Sequence, residues 1–317
     1  MLDNVLNIGV LGAGGIARRK TIPAMLQARN CRLVAVMDPV NIDQIAAEFK
    51  AKAYTKEADL LADPEVQAVY IASPVCCHAR QIKLAAEAGK HILCEKPLAL
   101  NTAECREMIA ACRANGVKLM EAFMYRYTDR IRKVQEILAA GLLGELKYVH
   151  AEFRFFLTRD PDVRLVPELG GGCLYDVGCY PVNFVHLVTG EAPAEVAAKA
   201  VYDRGVDISF AAVLKYRRGL LATISSGFNS RFRTYAEIGG TEGLLEVPDT
   251  FLGDAGSIFL TTAEGRRAIP VAESDRYRLE IEDFAAAVLA DRPPRMDLEE
   301  SLRNMEVIER LLQAART

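Results

Sequence analysis

The sequence predicts an α/β protein: an N-terminal Rossmann domain with a doubly wound parallel sheet, then an α+β domain around a large open, mostly antiparallel sheet. Three observations predict this architecture. A glycine-rich turn directly follows the first apolar run, short apolar runs alternate with helical segments up to about residue 121, and period-2 alternation then takes over. We therefore expect residues 1–122 to form the first domain and residues 123–317 the second.

The first half is predicted to alternate strands with helices. Strands are expected at 7–11, 33–37, 68–72, 92–94 and 117–120, and helices toward residue 29 and at 43–50, 78–88 and 102–115. Asn101 and Glu104 lie three residues apart and form a capping pair for the last helix. Because the strands are almost continuously apolar, we expect a parallel sheet that helices cover on both faces.

The second half shows a different periodicity. Val149, Ala151 and Phe153 alternate with polar neighbours, which is typical of a half-buried strand. The sheet is expected to include segments near 146–156, 207–216 and 220–228, with an apolar helix near 174–188 and closing helices near 278–290 and 298–315. The two closing helices are expected to pack back toward the first domain.

The outer face of that second sheet is expected to need a cover. One face would pack on the domain's own helices, and the other would be left with residues such as Phe210 or Leu221. Since large apolar surfaces rarely stay exposed on monomers, we expect a homodimer or homotetramer through this sheet.

The composition excludes several function classes. A net charge of −3 implies no overall attraction to nucleic acid or to an anionic membrane. No apolar run reaches 18 residues, and Asn4 and Asn7 interrupt the N-terminus, so neither a transmembrane helix nor a signal peptide is expected.

Eight cysteines are present, and several lie in apolar patterns where a thiol acts as a small hydrophobic group. The neighbouring Cys76 and Cys77 leave a redox or metal-binding role open. However, no C-x-x-C motif recurs and no histidine lies at zinc-ligand spacing, so reduced thiols, a cytoplasmic location and no metal site are expected.

The glycine-rich turn matches the pattern G-x-G-x-x-A between a strand and a helix. Gly12 permits the tight turn, Gly14 allows backbone to approach a pyrophosphate, and Ala17 allows close packing of helix on sheet. With Gly15 and Ile16, these residues are expected to bind a dinucleotide at the helix N-terminus. The alternative is a glycine turn without a nucleotide.

Asp38 ends the second strand and bears on the choice of cofactor. A carboxylate there accepts the hydroxyls of an adenosine ribose and repels a 2′-phosphate, so NAD is preferred and NADP is the alternative. An ordinary Asp-Pro turn would explain the residue equally simply. Arg18 and Arg19 could reach a phosphate, or could be solvated charges on a helix face.

Lys96 follows the apolar strand near 92–94, and Pro97 fixes the backbone just beyond it. The carboxyl end of a parallel strand is where open α/β sheets bind ligands. Lys96 is therefore expected to lie where the chemistry takes place. The Lys96–Pro97 bond could be cis, which the sequence does not decide.

The segment after three glycines, Gly170 to Gly172, offers a second group for chemistry. If it is helical, Asp176 and Tyr180 are four residues apart and share a face. A nearby lysine favours the phenolate form, which would suit Tyr180 to act as a general acid and base. A core tyrosine with a capping aspartate explains the pattern equally well. His78, after Ser73 and Pro74, could contact a cofactor or cap a helix.

Together these segments resemble the glucose–fructose oxidoreductase and inositol dehydrogenase (Gfo/Idh/MocA) family over nearly the whole chain. The resemblance rests on five segments: G-x-G-x-x-A, Ser73-Pro74 with His78, the run from Ala88 to Glu95-Lys96-Pro97, the triple glycine before Asp176, and Arg292-Pro293-Pro294 with Asp297 and Glu300. Tyr180 stands where inositol dehydrogenase-like members have histidine. The chain is therefore most similar to the dihydrodiol and xylose dehydrogenase branch, which the segments 121–126 and 163–165 also resemble.

The resemblance implies an NAD(P)-dependent oxidoreductase that moves a hydride between nicotinamide and a hydroxyl or carbonyl carbon of a sugar or cyclic polyol. Lys96, Tyr180 and Asp176 would be catalytic. Further cofactor contacts are expected from Ser73, Pro74, His78, Glu95, Pro97 and Arg126, and substrate contacts from Phe156 and Arg164. A ketoreductase of nucleotide-linked deoxysugars and a non-catalytic cofactor-binding regulator are the alternatives. Many relatives in this branch use NADP, which disagrees with Asp38.

Overall fold

The computed structural model describes residues 5–40 and 42–316, which fall into two compact units. The first contains the chain up to Met124 together with Asp275–Leu302, and the second contains Tyr125–Ser274 and the residues from Arg303 onward. The chain thus returns to the first unit after completing most of the second, which a single division at residue 122 does not describe.

The first unit is built on a parallel sheet with the strand order β3-β2-β1-β4-β5-β6. Its strands are β1 (Leu6–Leu11), β2 (Cys31–Met37), β3 (Lys52–Tyr54), β4 (Ala68–Ile71), β5 (His91–Glu95) and β6 (Leu119–Ala122). This is the order of a Rossmann fold, and every residue of β4 and β6 is buried. The expected parallel sheet is confirmed, although β6 begins two residues later than expected and places Glu121 level with Cys94.

Helices flank these strands, and one of them shows the predicted cap. They are α1 (Ile22–Gln27), α2 (Ile42–Phe49), α3 (Glu57–Ala62), α4 (His78–Glu87) and α5 (Thr102–Ala114), with a π-helical turn at Ala17–Thr21 before α1. The Asn101 side chain accepts the N–H of Glu104 at 2.9 Å, and Glu104 Oε2 accepts the N–H of Leu100 at 3.1 Å. The predicted capping pair is therefore confirmed.

The second unit contains a mixed sheet with the order β14-β13-β12-β11-β7-β10-β9-β8. Its described strands pair antiparallel except β7 and β10, which run parallel. They are β7 (Leu146–Phe156), β8 (Glu195–Asp203), β9 (Val206–Lys215), β10 (Leu221–Gly227), β11 (Asn229–Gly240), β12 (Gly243–Pro248), β13 (Gly256–Thr262) and β14 (Gly265–Val271).

Helices α6 (Asp129–Ala139) and α7 (Cys179–Thr189) belong to this unit, and α7 packs on β7 and β10. The covered face of the sheet includes Phe210, which is only 3% exposed. The expectation that Phe210 lies on the open face was wrong, because it shares its parity with the buried Ala212 and Leu214. Leu221 does lie on the open face, with Tyr148 and Val213.

Two helices close the chain, α8 (Arg276–Leu289) and α9 (Leu298–Ala314). The first belongs to the Rossmann unit, where it contacts α1, β1 and β2. None of the helices that the structure describes has the length and apolar character needed to cross a bilayer.

Candidate active site

The glycine-rich turn lies at the carboxyl edge of the parallel sheet. Gly12 has a φ of +82°, and its N–H donates to Met37 O at 2.9 Å. A Cβ atom on Gly12 would lie 2.8 Å from the backbone nitrogen of Ser73, in the segment after β4. Glycine is therefore required both by the left-handed backbone and by the close approach of this segment. Ala17 is fully buried, as expected for close packing of helix on sheet.

The second half of this turn is joined to the end of β2. The N–H of Gly14 donates to Asp38 Oδ2 at 3.1 Å, and the N–H of Val40 donates to Asp38 Oδ1 at 3.0 Å. These two bonds orient the Asp38 carboxylate and leave each oxygen a lone pair for a ribose hydroxyl. Gly15 is exposed and Ile16 directly precedes the helical turn, so the N–H groups of a helix start are available to a pyrophosphate. The turn fits a dinucleotide.

Arg18 does not contribute a free cation to this edge. Its guanidinium forms an ion pair with Glu48 of α2, with Nη2 and Oε2 2.6 Å apart. Of the two arginines considered as partners for a 2′-phosphate, only the exposed Arg19 remains without a partner among the described residues.

Lys96 directly follows β5, and the Lys96–Pro97 bond is cis. The side chain of Glu95 accepts the hydroxyl of Tyr70 at 2.5 Å and the N–H of Lys96 at 3.3 Å. On the adjacent β6, Glu121 Oε1 accepts the N–H of Leu98 at 2.9 Å. Two carboxyl groups therefore hold the backbone on either side of Pro97. Sequence reasoning missed Tyr70, although it is the only residue with a hydroxyl in the apolar run of β4.

His78 is a buried histidine whose ring nitrogens lie near backbone carbonyl groups, and a cofactor contact for it stays a prediction. The imidazole is 1% exposed; its Nε2 lies 3.0 Å from Ser73 O, and its Nδ1 lies 3.1 Å from Pro97 O. Burial lowers the pKa of His78, while these carbonyl groups oppose that shift. The ring therefore joins the Ser73–Pro74 segment to the segment after Lys96.

In the second unit, Tyr180 lies in the first turn of α7. It is 6% exposed and packs among aromatic rings, with centroid distances of 5.3 Å to Phe153, 5.6 Å to Phe251 and 5.8 Å to Tyr125. The expected continuous helix instead begins with a π-helical turn, Leu174–Gly178, which contains Asp176.

Asp176 and Arg164, predicted separately from the sequence, form an ion pair. Arg164 Nε and Asp176 Oδ2 are 2.5 Å apart, and Arg164 Nη1 lies 3.2 Å from Asp162 Oδ1. The Asp176 charge raises the pKa of the Arg164 guanidinium. The guanidinium also lies 6.0 Å from the centre of the Phe155 ring. Phe156 lies on the opposite face of β7 from Phe155 and is 63% exposed, and a substrate contact for it stays a prediction.

Asp207 of β9 anchors the triple-glycine segment and was missed by sequence reasoning. Its Oδ2 accepts the N–H of Leu174 at 2.7 Å and the thiol of Cys173 at 3.0 Å. Gly172 has a φ of +121°, and a Cβ atom there would overlap Asp207 Oδ1. Burial raises the pKa of this carboxyl. The segment that leads to Asp176 is therefore fixed from the sheet.

Arg126 is buried beside α7, where its Nη1 donates to Asn183 Oδ1 at 3.1 Å and the Tyr125 hydroxyl donates to the same oxygen at 2.6 Å. Asn183 lies one turn after Tyr180 and is fully buried. Sequence reasoning missed Asn183, although a polar residue within this largely apolar helix indicates a buried hydrogen-bonding role. A cofactor contact for Arg126 stays a prediction.

The site offers no metal-binding cluster within the described ranges, since no three His, Cys, Asp or Glu side chains there converge. Cys76 Sγ lies 3.8 Å from Cys77 Sγ, and six of the eight cysteines are buried.

Two family models match the chain. The first model is that of an oxidoreductase family with an NAD-binding Rossmann fold, and it matches residues 6–123. The second is that of the GFO/IDH/MocA C-terminal domain, and it matches residues 131–246.

Individual relatives match over most of the chain. D-xylose 1-dehydrogenase (NADP(+)) 2 of Haloferax volcanii is 36% identical over 317 residues, covering 98% of this chain and 97% of that protein. A trans-1,2-dihydrobenzene-1,2-diol dehydrogenase of Xenopus tropicalis is 35% identical over 69% of this chain and 66% of that protein. A 3-ketoreductase from Actinomadura kijaniata, solved with NADP and TDP-benzene, superposes with a TM-score of 0.94 at 28% identity over 98% of both chains.

Proposed function

Since the chain belongs to the Gfo/Idh/MocA family of NAD(P)-dependent oxidoreductases, which confirms the resemblance, we propose that its substrate is a sugar or cyclic polyol. The observation that carries the proposal is Tyr180, a buried phenol at the start of α7 next to the turn that holds the Asp176–Arg164 ion pair. A phenol suits proton exchange with a substrate hydroxyl. Two of the named relatives, the D-xylose dehydrogenase and the dihydrobenzenediol dehydrogenase, support this substrate class.

In the proposed mechanism each residue has one task. Bound NAD(P) supplies the hydride acceptor or donor. In the oxidative direction Tyr180 takes the proton of the substrate hydroxyl. The hydrogen on the carbon that bears this hydroxyl leaves with its electron pair as a hydride, for which NAD(P) is the acceptor. Lys96 stabilises the phenolate through its positive charge. Asp176, held by Arg164, orients the substrate or the tyrosine.

Most of the proposed cofactor contacts lie in the first unit, and Arg126 of the second unit is the exception. Gly12, Gly14, Gly15, Ile16 and Ala17 would hold the pyrophosphate, and Asp38 the adenosine ribose. We propose a preference for NAD because the Asp38 carboxylate would face a 2′-phosphate with like charge and Arg18 is already paired with Glu48. The NADP named for two relatives is the competing argument.

The second candidate is the same chemistry in reverse, on a nucleotide-linked deoxysugar. The high structural similarity to the 3-ketoreductase favours it. Against it, the Arg164 charge is matched by two carboxylates, Asp162 and Asp176, and so offers no excess charge to a diphosphate. A cofactor-binding regulator without turnover is disfavoured because Lys96, Asp176 and Tyr180 are all present.

The test is a screen of aldoses, polyols and dihydrodiols with NAD and with NADP, in which turnover is monitored through the absorbance of the reduced nicotinamide. We expect turnover with at least one uncharged ring polyol. Turnover confined to nucleotide-linked sugars would favour the second candidate, and cofactor binding without any turnover would favour the regulator.

We also propose that the open face of the second sheet forms a homodimer or homotetramer contact. Tyr148 is 65% exposed, Val213 45% and Leu221 37%, so the face carries apolar side chains that association would bury. Sedimentation at micromolar concentration should show more than one chain mass, and a single species of 34.8 kDa would contradict it. We also propose a reducing, cytoplasmic setting, which the burial of most of the eight cysteines in apolar surroundings favours.

A further inference from the structure

A chain of buried hydrogen bonds crosses the first unit behind Lys96. Thr21 Oγ1 donates to the Tyr70 hydroxyl at 3.0 Å, and that hydroxyl donates to Glu95 Oε1 at 2.5 Å. The second oxygen of Glu95 accepts the Lys96 N–H at 3.3 Å. Thr21 and Tyr70 are at most 1% exposed. The chain therefore runs in one direction, from the end of the dinucleotide turn to the residue before Lys96.

The surrounding groups favour one arrangement of charge. Burial, and then Glu95, raise the pKa of Tyr70 well above its usual value, so this phenol stays a hydrogen-bond donor. Burial and the Glu95 charge also raise the pKa of Tyr277 to about 12 and that of Glu280 well above its usual range. Oε1 of Glu280 has no hydrogen-bond partner among the described residues. The raised pKa values keep Tyr70, Tyr277 and Glu280 in their protonated forms, and Glu95 is the member of this cluster whose two oxygens both accept hydrogen bonds.

We propose that Tyr70 is a positioning residue of the active site, whose hydroxyl ties the dinucleotide turn at Thr21 to Glu95 and thereby fixes Lys96. The proposal rests on the proposed function only in so far as Lys96 is catalytic. Tyr70 contacts neither substrate nor cofactor in this role. It acts through Glu95, because a hydrogen bond to the ionised carboxylate stabilises that form and its orientation.

Other titratable groups at this strand end will shape any pH profile. Glu121 of β6 has its pKa raised to about 7 by burial, and burial lowers the pKa of His78 of α4. Cys94, within β5, has its pKa raised well above its usual value by burial. None of these groups changes in a variant that loses only the Tyr70 hydroxyl, so a profile measured against a matched control isolates Tyr70.

The test compares Y70F with Y54F. The Tyr54 hydroxyl also donates to a carboxylate in the first unit, Asp63 Oδ2 at 2.9 Å, but it lies on β3. With a substrate from the screen, Y70F should lower kcat about tenfold, leave the KM for cofactor within about threefold, and move the acid limb of the pH–rate profile upward. T21V should lower kcat and move the acid limb upward by smaller amounts, and Y54F should change neither kcat nor the acid limb.

A second measurement needs no substrate. The rate at which trinitrobenzenesulfonate labels Lys96, mapped by mass spectrometry, should rise about threefold or more in Y70F and stay unchanged in Y54F, since Glu95, which accepts the N–H of Lys96, would no longer be held by the phenol. Equal labelling of Lys96 in wild type and Y70F would overturn the proposal, as would a kcat loss in Y54F equal to that in Y70F. If labelling differs but no polyol is turned over, the proposed function fails and the role of Tyr70 stands.

Discussion

The two units hold their functional groups by different means. In the Rossmann unit the groups lie at strand ends, and the backbone places them: Gly12 follows β1, Asp38 follows β2 and Lys96 follows β5. In the second unit, pairs of side chains from distant segments do the work. Asp176 is held by Arg164 twelve residues earlier, and the turn containing it is fixed by Asp207 from β9.

This difference decides what a substitution should do in each unit. Replacing the side chain of Asp38 or Lys96 leaves the strand that places it intact, so mainly the chemistry of that one side chain is lost. In the second unit, a side chain that is removed also releases its partner, so its loss reaches further. Substitutions in both units test this contrast.

Replacing Tyr180 by Phe should give the largest loss. If the phenol is the acid and base, Y180F should lower kcat about 10²- to 10⁴-fold, the usual scale for losing such a group. Cofactor affinity should change little, because Tyr180 is not among the proposed cofactor contacts. Steady-state kinetics measure the change in kcat, and a cofactor titration measures the affinity. Near-normal turnover would make Tyr180 a core aromatic residue, consistent with its contacts to Phe153 and Phe251.

Lys96→Met should give a strong loss of the same kind in the first unit. Met keeps most of the length of the stem and removes the charge. Turnover should fall, and the oxidative pH–rate profile should move to higher pH because the phenolate loses its stabilising cation. The Tyr180→Phe variant serves as the comparison, since it should remove this limb of the profile altogether. Full activity with an unaltered profile in K96M would show that the lysine has no catalytic role.

Much of the first unit was predictable from the sequence because its signals are local. A strand, a glycine turn and a helix follow one another directly, so the residues of the turn and Lys96 could be placed at the sheet edge from their order alone. The capping pair of Asn101 and Glu104 is equally local. His78 was the exception, since burial of its ring between two backbone segments depends on residues nineteen positions away.

The second unit was predictable in type and less in detail. Period-2 alternation identified strands, but alternation does not say which face the helix α7 will cover, and so Phe210 was assigned to the wrong side. The pairing of Arg164 with Asp176 and the anchor at Asp207 join distant segments, and no periodicity in one sequence reports such contacts.

The buried carboxyl of Glu121 offers a smaller effect, on stability. Burial raises its pKa from 4.5 to about 7. The folded protein therefore binds this proton more tightly than the unfolded chain, so the contribution to stability is full below about pH 4.5 and is lost as the pH rises through about 7. In E121Q the amide does not ionise and can still accept the N–H of Leu98.

The free energy of unfolding of E121Q should therefore gain about 3 kcal/mol relative to wild type between pH 4.5 and 8. Denaturant unfolding at a series of pH values measures it. Parallel curves for the two proteins would mean that Glu121 does not titrate in this range. The strand end at Lys96 would then be held by a carboxylate that stays ionised from pH 4.5 to 8, in contrast to one that titrates near pH 7.

Cofactor choice should show the smallest effect and sharpens the contrast most directly, because it depends on one strand-end side chain. Asp38 is oriented by the N–H groups of Gly14 and Val40, and Arg18 is paired with Glu48. A like-charge contact with a 2′-phosphate costs on the order of 1–3 kcal/mol, so wild type should bind NAD about ten- to a hundredfold more tightly than NADP. Asp38→Ser keeps a short polar side chain and removes the charge, so it should narrow or reverse the difference in affinity between NAD and NADP.

R18M is the matched control and should leave the ratio of the two dissociation constants unchanged, since that guanidinium is already paired. Fluorescence titration with both reduced cofactors gives the ratio. Tighter binding of NADP than NAD to the wild-type protein would mean that another cation, such as the exposed Arg19, decides the choice, and that this strand end does not act through its own side chain alone.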